Sequence, residues 1–228
     1  MNSKKRLLIL GLLILVVSSL LTVLTMQAVE DRNRPATKIR VACVGDSITQ
    51  GSEYPNDLWM LLGSNYTLGN FGVNGTTVSI DSAKPYIKET AFKSAQKFQP
   101  NIVIIMLGSN DAHPDDEQYN GSFVANYIKL VNGFQGLASK PAIWIVKPPP
   151  IFNNGTGIST KFFDMSIIPN IEEAANKLHL PVIDVYATLA DHPEYFGDGV
   201  HPTLKGSEAI AGVIFDALVS SKSQNTAD

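Results

Sequence analysis

The sequence predicts an α/β protein, a three-layer α/β/α sandwich on a five-stranded parallel sheet, and three observations lead there. Apolar runs of strand length alternate with amphipathic stretches of helix length along most of the chain. Two of the runs, Asn101–Leu107 (NIVIIML) and Ala142–Val146 (AIWIV), are continuous instead of alternating, the mark of strands buried on both faces. Neither an internal repeat nor a second compositional block breaks this alternation, so it reads as one domain.

The elements follow in order. Thr37–Val44 (TKIRVACV) reads as a first strand entering the core, and Tyr54–Leu62 as a short helix with Leu58, Trp59, Leu61 and Leu62 apolar. Tyr66–Phe71 is a second strand, Ala91–Phe98 a polar helix, Asn101–Leu107 the third strand and Phe123–Phe134 a helix. Ala142–Val146 is the fourth strand, stopped by Pro148, Pro149 and Pro150, which cannot donate to a ladder. Ser166–Leu178 places Ile167, Ile168, Ile171, Ala174, Ala175 and Leu178 at helical spacing, Pro181–Tyr186 is the fifth strand, and Thr203–Val219 is the last helix. Five strands joined by helices imply a parallel, flavodoxin-like sheet covered on both sides. Trp59 and Trp144 are expected in the core, Cys43 as a buried small hydrophobe, and His113, His179 and His192 at the surface.

Composition narrows the function. The chain is 44% hydrophobic and 17% charged with a formal net charge of −3, and Lys4, Lys5 and Arg6 all precede the first apolar segment. The remainder is therefore more acidic still, a poor match for a phosphate backbone, and nucleic acid is not an expected partner. Leu7–Thr25 carries no charge and as a helix spans roughly 28 Å, close to the hydrocarbon thickness of a bilayer. Basic residues before it and Glu30 and Asp31 after it orient the N-terminus to the cytoplasm. The expected organisation is a cytoplasmic tip and transmembrane signal-anchor over 1–29, a linker over 30–36, the globular domain over 37–222 and a disordered tail over 223–228. The globular domain then lies outside the cytoplasm, as a single-pass membrane protein or, alternatively, as a secreted one after signal cleavage.

Ligands of such sheets bind where the strands end. The first strand empties into Gly45-Asp46-Ser47, the second into Asn70-Phe71-Gly72-Val73-Asn74-Gly75, and the third into Gly108-Ser109-Asn110-Asp111. The fifth is followed by Asp198-Gly199-Val200-His201. A hydrolytic serine needs a base, an orienter for that base and donors for an oxyanion, and residues of all three kinds leave one rim. In these four blocks, in this order, the region from Thr37 to Val219 resembles the SGNH hydrolases, also called GDSL-type esterases and lipases. Ile48 stands where the family's name pattern has leucine, and the Gly-x-Ser-x-Gly elbow of ordinary α/β-hydrolases is absent.

The resemblance implies Ser47 as nucleophile, His201 as general base and Asp198 as its orienter. It also implies an oxyanion hole from the backbone N–H of Ser47, that of Gly75 and the side-chain amide of Asn110. Asp46 and Phe152 are expected at the substrate pocket, Phe152 as a wall contributed by the loop Pro148–Ser159. No metal spacing and no phosphate loop occur, so no metal or cofactor is expected. The reaction expected is cleavage of a carboxylic ester through an acyl-serine, in the manner of enzymes that remove O-acetyl groups from carbohydrate. A lysophospholipase, a lipid esterase or an acyltransferase at the membrane surface is the alternative, and a glycan-binding module is the non-enzymatic one.

Overall fold

The computed structural model describes residues 15–27, 37–152 and 155–225. Residues 15–27 are helical and form part of a first unit, Met1–Thr37; the second unit is Lys38–Asp228. Among the described residues no helix is long and apolar enough to cross a membrane. The span expected over Leu7–Thr25 lies outside the described residues for its first eight positions, as do the whole linker over 30–36 and the last three residues of the tail.

The second unit carries the sheet. Its strands are β1 (Ile39–Gly45), β2 (Tyr66–Gly72), β3 (Ile102–Met106), β4 (Ala142–Lys147) and β5 (Val182–Asp184), in the order β2-β1-β3-β4-β5. All four pairings are parallel. The helices are α1 (Ser47–Gly51), α2 (Tyr54–Leu62), α3 (Thr90–Lys97), α4 (Phe123–Gln135), α5 (Ile168–Leu178), α6 (Val185–Thr188) and α7 (Leu204–Asn225). Alternate side chains of the central strand divide the core in two. Val103 and Ile105 meet Phe92, Phe123, Tyr127, Leu130 and Ile171 from α3, α4 and α5. Ile102, Ile104 and Met106 meet Ile48, Tyr54, Leu58, Ile210 and Ile214 from α1, α2 and α7. The uninterrupted apolar run of β3 thus has its cause: both of its faces are covered.

Several elements differ from expectation for local reasons. α2 matches its expected bounds, because Pro55 opens it and Gly63, at φ 82°, closes it. The fifth strand is shorter than Pro181–Tyr186, since the Asp184 side chain accepts from Ala187 N and caps α6 instead of letting the strand run on. The helix expected from Ser166 begins as a regular helix only at Ile168; Phe163–Ile167 form a π turn and Thr160–Phe162 a turn capped by Ser159. Trp59 is not a core residue. Its side of α2 faces solvent, the residue is 47% exposed, and its indole N–H donates to Tyr66 O. Cys43 is fully buried, and burial pushes its thiol up to about 12, far from any reactive range.

Candidate active site

The first three blocks leave the carboxyl ends of β1, β2 and β3, which parallel pairing gathers on one rim, and the fourth comes to that rim in the loop before α7, where His201 meets Ser47. β1 ends at Gly45, where a Cβ would run into Thr49 of the next turn and approach Met106 O to 2.7 Å. That close approach lets the chain turn at once into α1. Asp46 caps this helix, its Oδ1 accepting from Ile48 N at 3.0 Å, and Ser47 is the first helical residue. The N–H of a first helical residue has no intrahelical acceptor, so that of Ser47 is left for a ligand.

His201 arrives from the loop before α7. Its Nε2 lies 2.9 Å from Ser47 Oγ, and its Nδ1 lies 2.7 Å from Asp198 Oδ2. A carboxylate can only accept, so Nδ1 carries the proton and Nε2 of the neutral ring accepts from the serine hydroxyl. The other oxygen of Asp198 accepts from Val200 N (2.9 Å) and His201 N (2.7 Å). Burial works against the ionised form of Asp198, but its bonds to the His201 ring and to these two N–H groups outweigh it, and the carboxyl sits at about 2.

The second and third blocks are laced to each other. Asn110 Nδ2 donates to Thr76 O at 2.9 Å, which spends one amide proton and leaves the other. Asp111 accepts from Val78 N, Ser79 N and Ser79 Oγ at 2.7–2.9 Å, tying the loop that carries Gly75 to the one that carries Asn110. Gly75 has φ +73°, and nothing lies within 4 Å of where its Cβ would stand. The glycine is thus required by its left-handed backbone and not by a crowded approach. Its N–H donates to no acceptor among the described residues.

Two carboxyls lie beneath this rim. Asp46 is 1% exposed with Oδ2 lacking any partner; burial, against the Ile48 N–H and reinforced by Asp111, raises it to about 7. Burial likewise raises Asp111 to about 6, its three donors opposing. Asp46 therefore supports the site from below and does not line a pocket.

The cleft beside Ser47 and His201 measures about 320 Å³, and its other walls are Gln50, Gly51, Ser52, Asn74 and Pro202. Phe152 is not among them. Its ring packs on Phe196 at 5.4 Å and its N–H donates to Gly199 O at 2.8 Å, because the chain turns inward after the three prolines. It braces the loop holding Asp198 and His201. Asn153 and Asn154 of the same loop lie outside the described residues. The polar walls Gln50, Ser52 and Asn74 were not anticipated, although Gln50 stands one helical turn after Ser47 and so shares its face. His113, 42% exposed, sits beside Asp115, and His192 stacks on Tyr195; neither is part of the site. Among the described residues no group of three or more His, Cys, Asp or Glu is placed to hold a metal ion.

Comparison with known proteins finds relatives of this chain. An acetylxylan esterase from Xylanibacter ruminicola is 33% identical over 213 residues, covering 81% of this chain but 44% of the relative, so the chain spans about half of that protein's length. Two solved structures share the fold. A carbohydrate acetylesterase family member from Sinorhizobium meliloti is 21% identical with a TM-score of 0.61, covering 79% of this chain and 97% of its own. The aryl esterase of M. smegmatis is 18% identical with a TM-score of 0.63, covering 80% and 99%. The model of the GDSL-like lipase/acylhydrolase family matches residues 43–209, so the chain belongs to that family.

Proposed function

We propose that the chain is a serine ester hydrolase that removes short acyl groups, acetyl above all, from hydroxylated alcohols such as carbohydrate. The observation that carries the reading is the chain of contacts Ser47 Oγ, His201 Nε2, His201 Nδ1 and Asp198 Oδ2, at 2.9 and 2.7 Å. Ser47 Oγ attacks the acyl carbonyl carbon while its proton passes to Nε2. The bond from that carbon to the alcohol oxygen breaks as Nε2 returns the proton to it. Water repeats the sequence on the acyl-serine, releasing the acid and restoring the hydroxyl. The N–H groups of Ser47 and Gly75 and the remaining amide proton of Asn110 supply donors for the oxyanion; such a donor is worth roughly 2.7–4 kcal/mol of barrier.

Support for a carbohydrate ester comes from the acetylxylan esterase relative and from the polar cleft walls. We also propose that residues 1–29 anchor the protein in a membrane, with the domain outside the cytoplasm. A chain-length series of p-nitrophenyl esters tests the reading. Acetate turnover that disappears in Ser47→Ala supports it; activity surviving in that variant, or a preference for octanoyl and longer chains, overturns it. Carbonate extraction of membranes bearing the full chain tests the anchor, and release into the soluble fraction would refute it.

A further inference from the structure

We propose that Gln50 reads the alcohol half of the substrate, donating from Nε2 to oxygens of a sugar-like leaving group. The inference rests on the esterase reading above and assigns the chemistry of one wall. Gln50 is exposed, lies one helical turn after Ser47 and lines the same cleft. Its Oε1 accepts from Asn74 N at 2.6 Å. Only the oxygen of an amide can accept from an N–H, so that bond fixes which end of the side chain is spent. The two protons on Nε2 remain, and no acceptor among the described residues takes them.

The support around this amide is rigid. Asn70 Nδ2 donates to Thr49 O at 2.8 Å, fastening α1 to the end of β2. The backbone of Gly72 packs against that of Gln50 so closely that a Cβ there would overlap Gln50 N. On the following peptide, Lys84 Nζ donates to Asn74 O at 2.7 Å. The donor is therefore held in place before a ligand arrives, and less ordering is left for binding.

The rest of the wall has the same character. Asn74 lines the cleft beside Gln50, and Ser52 commits its proton to Ile48 O at 2.7 Å and accepts from Tyr54 N at 3.4 Å, which leaves one lone pair of its oxygen as an acceptor. An acetyl group has only a methyl beyond its carbonyl. Polar groups away from the oxyanion donors can thus act only on the alcohol, and donors beside acceptors suit adjacent sugar oxygens. A purely hydrocarbon alcohol would leave them unpaired, which is how a polar site rejects an apolar analogue.

The test compares kcat/KM for an O-acetylated methyl xyloside with that for cyclohexyl acetate, similar in size but lacking hydroxyls. Wild type should prefer the sugar ester by about tenfold or more, and Gln50→Leu should remove most of that preference. An equal fall on both esters would overturn the proposal, because Gln50 would then act on the ester itself or merely hold Asn74. A ratio unmoved by the substitution would overturn it too. If Gln50→Leu does not fold, the wild-type ratio still decides, since near-equal turnover of the two esters refutes a hydroxyl-reading wall. p-Nitrophenyl acetate separates the two readings. No turnover of it by wild type sinks the esterase assignment, whereas normal turnover with no sugar preference sinks only the role of Gln50.

Discussion

Replacing Asp198 by Asn alters one atom and inverts a hydrogen bond. In the wild type, Oδ1 accepts from Val200 N and His201 N, and Oδ2 faces His201 Nδ1 at 2.7 Å. The two backbone donors would hold the amide oxygen of Asn in the Oδ1 position, which puts its NH2 group against Nδ1. An NH2 group needs an acceptor, so the ring would carry its proton on Nε2, facing Ser47 Oγ. A protonated Nε2 cannot take the serine proton. In a fully buried triad the wrong tautomer costs about 10⁴-fold in kcat, or about 5.5 kcal/mol. Here the side chains of His201 and Asp198 are 44% and 47% exposed, so water reaches both and part of the penalty is relieved. The expected loss is about 10²–10³-fold, roughly 3–4 kcal/mol.

The assay is the kcat for p-nitrophenyl acetate, with Ser47→Ala as the floor and thermal unfolding as the check on the fold. A variant within threefold of wild type would refute the assignment of Asp198 as orienter. The pH dependence is constrained as well. A carboxyl held at about 2 is ionised throughout the working range, and the stability it contributes is present above about pH 4 and lost as the pH falls through about 2. Asp198 protonation therefore cannot produce an activity loss centred near neutrality.

Four other substitutions test separate parts of the rim. Asn110→Ala removes the amide tied to Thr76 and should lower kcat about 10²–10³-fold with KM within a few-fold; a large rise in KM at constant kcat would remove it from the oxyanion donors. Gly72→Ala puts a methyl into the backbone of α1 and should cost about 2–3 kcal/mol by chemical denaturation, whereas Gly75→Ala meets no atom and should cost about 1 kcal/mol for its left-handed φ. The reverse order would contradict this packing. Asp46 is raised from 3.8 to about 7, so the folded state binds the extra proton and stability falls as pH rises from about 4 to about 7. Asp46→Asn keeps the acceptor for Ile48 N and should flatten that fall in Tm; an unchanged slope would show that Asp46 is ionised throughout.

The sheet was legible because its strands carry their own signal. Val103, Ile104 and Ile105 are fully buried, and a run of β-branched residues has no better use than a strand covered on both faces. The helix Tyr54–Leu62 was legible to the residue because a proline and a glycine bracket it. α1 was not, since five residues are too few to show a period and Asp46 caps it from a turn that reads equally well as loop. The strand-end rule brought Ser47, Gly75, Asn110 and His201 to one rim, but it could not orient the chain after Pro150. Phe152 has no periodic neighbours to say which way it faces, and the answer depends on Phe196, distant in sequence. Gln50 escaped for the opposite reason: its place follows from Ser47 by one helical turn, but only once a helix is known to start there.

How these loops are tied bears on how the site would work. Gly75 and Asn110 leave different strands, β2 and β3, which are separated by β1 in the sheet. Donors on independent loops would have to be ordered together as charge develops on the oxyanion. Asn110 instead anchors its amide on Thr76 O, next to Gly75, and Asp111 holds the following residues with three bonds. Gln50 grips Asn74 N on the other side of Gly75. The loop is thus fixed from both flanks without using the Gly75 N–H itself. Such an arrangement places the dipoles before reaction, so little reorganisation is left for the transition state. Its cost is the burial of Asp111 and Asp46, two carboxyls raised to about 6 and about 7 beneath a site that must welcome negative charge. Asp46, raised to about 7, keeps its proton up to near neutral pH and so limits that conflict, whereas Asp111, at about 6, has largely ionised by then; activity should therefore weaken on the alkaline side as Asp46 ionises, by less in Asp46→Asn than in the wild type.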